Sequence, residues 1–296
     1  MPKTGELNGI KITTLAEDSV LYESPYLGQH GISFLVTAER DGTIRNVLVD
    51  VAQNPSALLE NANMMDISLS CIDMVVLTHC HYDHTQGLAK VLREIGKNDL
   101  PVIAHPDIFR LNFITDPYLR HVGVMGEDKK ANIEGSGGTL YLTKDPLEIM
   151  PGLITTGQVE RATDFEEAGI SLSTIENNQV KPDLMLDDIS LVANVKGKGV
   201  VIVTGCSHAG IVNITKQAVK LTKTEKIHGI IGGFHLIEAI GAAEIRIKKT
   251  AQALKQFDPD WIYAGHCTGF EAQVELYNTF NDRFSPLHTG MIVEVP

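Results

Sequence analysis

Residues 75–87, VVLTHCHYDHTQG, decide how this chain is read. Three histidines and an aspartate (His79, His81, Asp83 and His84) fall within six residues. Residues 72–79 form a nearly continuous apolar run, the pattern of a strand buried on both faces. After the cluster, Leu88, Val91, Leu92 and Ile95 recur at i, i+3, i+4 and i+7, which predicts a helix with one buried stripe, stopped by Gly96. The cluster therefore occupies the loop of a strand–loop–helix turn. Layered α/β folds gather their reactive groups there, beyond the carboxyl ends of strands.

The residues spell H-x-H-x-D-H. On a loop leaving a strand, residues two apart can face the same way, so His79 and His81 can converge on one cation. Asp83 and His84 turn the other way and can serve a second. Imidazole and carboxylate suit zinc, iron or manganese, and magnesium is compatible with the carboxylate. One or two divalent metal ions are thus the expected cofactors, zinc first. A polar turn whose histidines merely cap the next helix would not require so dense a set of donors.

Such a motif cannot close a metal site alone. Three later segments offer histidines at strand ends: TGCSHAG (His208), GGFHL (His235) and AGHCTG (His266). Glycines beside each allow sharp turns and close backbone approach. His208 and His266 are expected as ligands, and His235 as a metal or substrate contact. Cys206 reads either as a thiolate ligand or as a small buried hydrophobe. His30, His105, His121, His228 and His288 read as structural or surface residues, with His288 in PLHTG the one to watch. The doublet Asp187-Asp188 reads as solvated charge, or else as hydrogen-bond acceptors behind the ligand histidines.

The rest of the chain alternates short β-type runs with helical patterns. Runs at 31–38 and 45–52 flank Asp41-Gly42, a hairpin signal. Asn54 and Pro55 mark a helix start. Residues 101–105 read as a strand. The region 107–185 reads as an inserted loop or lid, and its polar stretch GEDKKANIEGSGG as an exposed loop rather than a phosphate cradle. Two β-rich runs in 189–205 join at Lys196-Gly197-Lys198-Gly199 as a hairpin, without the spacing of a P-loop. A helix over 211–222 and a strand over 227–233 follow. Ile240, Ile247, Ala251 and Leu254 mark a further helical face, and strand-like runs fall within 260–269 and 290–295. The second half thus echoes the first in pattern, and no linker divides them, so one domain over 1–296 is expected.

With 296 residues, 43% apolar and 21% charged, the composition is globular. The net charge of -12 disfavours nucleic acid and anionic membranes, and a small molecule is the expected partner. No apolar leader is evident near the N-terminus and no run is long enough to span a bilayer. Cys71, Cys80, Cys206 and Cys267 are too few for a disulfide framework, so a reducing cytoplasm is expected. A homodimer is only the common case for soluble proteins.

THCHYDHTQG resembles the signature of the metallo-β-lactamase-fold superfamily. TTGQVER, TGCSHAGIVN, GGFHL and GHCTG are similar to one branch, the dihydropterin–ribofuranosylaminobenzene phosphate synthases. The resemblance implies an α/β fold, an αββα sandwich with two mixed β-sheets between layers of helices. It also implies His79 and His81 on one metal, and Asp83, His84 and His266 on the other. Two departures stand out. No G-H-T segment supplies the third ligand of the first metal, for which His208 is the candidate. Cys206 stands where many relatives carry a bridging aspartate.

The expected activity is metal-dependent hydrolase chemistry through a metal-bound water that Asp83 orients or deprotonates, and the branch resemblance implies an anionic substrate, a small phosphate- or diphosphate-bearing molecule. One alternative is a group-transfer synthase joining a dihydropterin-methyl group to an aromatic amine with diphosphate release. Another is a non-catalytic metal-binding or ligand-sensing protein. A redox role is disfavoured because the di-iron relatives carry glutamate where this chain has His81.

Overall fold

The computed structural model describes residues 4–166, 172–237 and 243–296. Two seven-stranded mixed sheets face each other. The first runs, in spatial order, Ile292–Val295, Gly9–Ala16, Ser33–Arg40, Thr43–Val49, Met74–Val76, Leu100–Ala104 and Gly138–Leu142. The second runs Phe284–Pro286, Trp261–Gly265, Ile227–Gly233, Gly199–Val203, Leu191–Val195, Leu153–Thr155 and Glu148–Met150.

Side-chain alternation explains the layers. In Gly199–Val203, Val201 and Val203 join Val47, Val49 and Val76 of the first sheet in the central core. Val200 and Ile202 point the opposite way, onto Ala218, Ala251 and Leu276 of the helices Ile211–Thr222, Ala243–Phe257 and Phe270–Phe280. In the first sheet, Leu48, Val75 and Val102 pack outward on Leu58 of Pro55–Met64 and on Leu88, Val91 and Leu92 of Leu88–Ile95. Strands buried on both faces read as unbroken apolar runs, and here each run feeds two cores. The result is an αββα sandwich.

Local signals behave as their chemistry requires. Asp41 and Gly42 both take positive φ, the mark of a type I′ hairpin turn. The Asn54 side chain accepts from the N–H groups of Ser56 and Ala57, and Gly96 ends Leu88–Ile95 at φ 71°.

Three readings change. The run 72–79 is regular strand only over Met74–Val76, because the Thr78 N–H leaves the ladder to donate to Asp50 Oδ1 at 2.7 Å. The polar stretch GEDKKANIEGSGG is not a free loop. It holds the short helix Lys130–Gly135, anchored by buried Ile133, and Asp128, whose carboxylate accepts from Gly87 and Ala89 N–H at 2.7 and 2.9 Å. Its helical face is one residue wide, too narrow to show as a period. Within 107–185, Gly138–Leu142 completes the first sheet, and Leu153–Thr155 and Glu148–Met150 the second. A separate four-stranded sheet runs Gln179–Pro182, Ser173–Glu176, Phe113–Ile114 and Arg120–His121.

Ile247, Ala251 and Leu254 are buried on Ala243–Phe257, while Ile240 lies outside the described residues. No helix of the described residues is long and apolar enough to cross a membrane.

Candidate metal centre

The two halves meet at the carboxyl ends of their parallel strands. His79 and Cys80 leave Met74–Val76, and His81 caps the short helix Tyr82–Thr85, which carries Asp83 and His84. From the other sheet, Cys206 and His208 follow Gly199–Val203, His235 follows Ile227–Gly233, and His266 follows Trp261–Gly265.

The imidazoles of His79, His81 and His208 form a triangle with all three ring centroids 4.8 Å apart. His208 Nε2 faces His81 Nδ1 at 3.2 Å. Beside them, Asp83, His84, Cys206 and His266 place one donor atom each within 4.8 Å of one another. There His84 Nε2 lies 3.1 Å from Cys206 Sγ and 3.3 Å from His266 Nε2, and Asp83 Oδ2 lies 3.2 Å from His266 Nε2. Cys206 Sγ also lies within 4.8 Å of donors on His79 and His208, so it sits between the two sets.

The outward ring nitrogens are tied down. His79 Nδ1 meets Thr78 Oγ1 at 3.0 Å, His84 Nδ1 meets Asp50 Oδ2 at 2.7 Å, and His266 Nδ1 meets Asp18 Oδ2 at 2.6 Å. Each contact presents the opposite nitrogen, Nε2, to the centre. His79 Nε2 is buried with no hydrogen-bond partner among the described residues. A cluster of inward lone pairs with nothing to accept is costly in protein and is relieved by a shared cation. The donor set thus fits divalent metal.

Burial pushes His79 and His208 well below the usual imidazole range and His81 down to about 4, which keeps all three neutral and able to ligate. Burial pushes Asp83 up, but His84 and His266 outweigh it and hold the carboxyl well below its usual range. His266 is opposed by burial, yet Cys267, Asp18 and Asp83 raise it well above the ordinary value.

Several acids that frame the centre were not singled out from the sequence. Asp50 closes the strand Thr43–Val49 and accepts from Thr78 N, Thr78 Oγ1 and His84. Glu17 accepts from the N–H of Ser19 and of His266, both at 2.5 Å. Gly265 lets it approach, since a Cβ there would lie 2.5 Å from Glu17 Oε1. An acid directly after an apolar strand, at the same sheet edge as the histidine motif, is the signal that could have found both.

Asp187 and Asp188 are buried rather than solvated. They hold backbone instead of imidazoles: Asp187 accepts from Cys80 N and pairs with Arg110, and Asp188 accepts from Ala209 N. Burial pushes Asp188 up to about 8. Of the histidines set aside, His30 is half-exposed at the surface and lies beside the centre. It lines the cavity, bonds Asp18 at 2.9 Å and faces Asp83 Oδ2 at 3.4 Å. His288 contacts the Thr289 carbonyl, and His105, His121 and His228 make local contacts.

Glu166 fixes the turn after His208. Its carboxylate accepts from Val212 and Asn213 N–H at 2.8 and 3.0 Å, at the start of Ile211–Thr222. Gly210, at φ 92°, is required because a Cβ there would come within 2.4 Å of Glu166 Oε2. Replacing Glu166 by alanine should cost about 1–3 kcal/mol in urea unfolding. Unchanged stability would remove it from the framework.

The centre opens on a cavity of about 240 Å³. Its walls include His30, Tyr82, Asp83 and Arg120, with Ile114, Val122 and Leu172 on the apolar side. Ile114 and Arg120 come from the four-stranded sheet. A larger cavity, about 580 Å³ around Phe109, His121 and Lys129, contains none of the clustered donors, so the chemistry belongs to the smaller one.

Comparison with known proteins agrees with this architecture. Residues 45–117 match the family described as β-lactamase superfamily domain. A crystal structure described as a metal-dependent hydrolase of the β-lactamase superfamily superposes with a TM-score of 0.78 at 23% identity, covering 97% of this chain and 99% of the other. The metallo-β-lactamase fold protein YhfI from Bacillus subtilis gives 0.57 at 13% identity, covering 97% and 100%. Over 293 residues, 98% of each chain, the sequence is 41% identical to the 7,8-dihydropterin-6-methyl-4-(β-D-ribofuranosyl)-aminobenzene-5′-phosphate synthase of Methanocaldococcus jannaschii. An uncharacterized protein of that organism is 31% identical over 281 residues, 94% of this chain and 98% of its own. The chain is a metallo-β-lactamase-fold enzyme of hydrolase or transferase type, and it belongs to the family of that synthase.

Proposed function

We propose that this enzyme is a group-transfer synthase. It joins the methyl carbon of a dihydropterin-methyl diphosphate to the nitrogen of an aromatic amine bearing a ribofuranosyl phosphate. The C–N bond forms, the C–O bond to diphosphate breaks, and the amine gives up one proton. The observation that carries this reading is the 41% identity to the synthase over 98% of both chains.

Divalent cations held by His79, His81 and His208, and by Asp83, His84 and His266 with Cys206 between, would supply positive charge to the leaving diphosphate oxygens. Zinc is the first choice because the set contains a thiol beside imidazoles. Asp83 reaches the cavity as an ionised carboxylate and takes the proton from the attacking amine. Tyr82, Ile114, Val122 and Leu172 line the cavity with aromatic and apolar surface that favours flat rings over water. Exclusion of water favours transfer over hydrolysis.

Among the described residues lining the cavity, Arg120 is the only arginine or lysine. In a chain of net charge -12 it is the fixed positive charge available to an anionic substrate. Arg120→Ala should raise KM for the diphosphate substrate about tenfold or more with a smaller change in kcat. An unchanged KM would reject that contact.

The deciding assay follows diphosphate release from the dihydropterin-methyl diphosphate with and without the amine. Release that depends on the amine, with the coupled product found by mass, supports synthesis. Equal release without amine returns the enzyme to a hydrolase of diphosphate-bearing molecules.

A further inference from the structure

A third donor set lies on the cavity side of the centre. Cys206 Sγ, Cys267 Sγ and a ring nitrogen of His235 lie within 4.8 Å of one another, and all three residues line the cavity. Cys267 follows His266 on the loop after Trp261–Gly265, and His235 sits on the loop after Ile227–Gly233. The sequence alone gave Cys267 no role.

His235 is the independent pointer. It is 6% exposed, and neither ring nitrogen has a hydrogen-bond partner among the described residues. Two buried, unpaired imidazole nitrogens are a standing cost unless something binds them. The surroundings hold the ring rather than satisfy it. Its backbone N–H donates to Cys267 Sγ at 3.3 Å, its carbonyl accepts from Arg246 at 3.2 Å, and its ring packs on His208 with centroids 4.1 Å apart. The backbone is pinned at φ 48°, in the left-handed region that non-glycine residues rarely adopt.

We infer that Cys206, His235 and Cys267 form a binding site for a thiophilic divalent cation of the zinc class, additional to the β-lactamase-type histidine–aspartate sets. Two sulfurs and one imidazole are a softer donor set than either neighbouring group and select zinc or cobalt over magnesium or calcium. Three protein donors with a fourth side open to a cavity is the donor count of a catalytic zinc site rather than a closed structural one. Cys206, central to all three sets, then serves as a shared ligand. Binding at the rim would place a cation where a substrate donor atom can reach it.

The test uses the full chain, purified under reducing conditions, stripped of metal and reloaded with cobalt(II). Metal per chain is measured by elemental analysis, and the near-ultraviolet thiolate-to-cobalt absorption reports Co–S bonds. Cys267→Ser should lose one molar equivalent of metal and a substantial part of that absorption. His235→Gln should lose the same equivalent with both thiols still present, and it decides the matter if the cysteine variant does not fold. Wild-type metal content and absorption in the folded variants would overturn the site. So would a Cys206–Cys267 disulfide in protein prepared without oxidant, since the thiols would then pair with each other.

Discussion

Asp83→Asn is expected to lower kcat by about 10²–10⁴-fold, because the change removes a proton acceptor while keeping the side chain's shape. That range corresponds to about 3–5 kcal/mol of barrier. The carboxylate is nearly fully buried, yet His84 and His266 keep it ionised, and its Oδ2 also faces His30 at 3.4 Å. Burial makes its charge effective, since fewer waters screen it. Asparagine retains one oxygen and can still approach a cation, so metal content must be measured beside kcat. Loss of rate with metal retained assigns the effect to proton handling. Loss of both assigns it to ligation. Wild-type turnover with the asparagine in place would end the proposed role.

The second large effect concerns stability. Asp50→Ala strands three buried donors, the Thr78 N–H, the Thr78 hydroxyl and the His84 ring, around a side chain with no solvent exposure. Each buried group left without a partner costs about 1–3 kcal/mol, so three of them set an expected loss of about 3–9 kcal/mol in urea unfolding of the metal-free protein. Asp50→Asn keeps one carbonyl acceptor and should cost less. Both variants should also weaken metal binding by about 10–100-fold, because His84 loses the contact that orients it. A metal-free protein as stable as wild type after Asp50→Ala would mean that the loop finds other partners.

The αββα layering came from the family resemblance, while the strands themselves showed only as unbroken apolar runs, because the residues facing the central core and those facing helices are equally apolar. The opening motif was legible because four donors crowd one short turn. The framing acids were not. Asp50 meets His84 across 34 positions, and Glu17 meets the His266 backbone across 249. In sequence each is one acid after a strand, indistinguishable from a turn residue until its partner is known. The contacts of His30 were hidden for the same reason, since Asp18 lies on a loop and Asp83 on the short helix Tyr82–Thr85. The strand Phe284–Pro286 escaped notice because it is short and ends in proline, which sheets tolerate at an edge.

His84 and His266 lie 182 positions apart and belong to opposite halves of the chain. A cation shared between them closes a very long loop, so it acts on the sandwich as a cross-link would. Until the final quarter of the polypeptide has left the ribosome, the set of Asp83, His84, Cys206 and His266 lacks its last donor, whereas His79, His81 and His208 are already made. Capture of an ion by that second set therefore waits on the last strands of the sandwich, and chelators should lower the melting temperature of the finished enzyme as well as its rate.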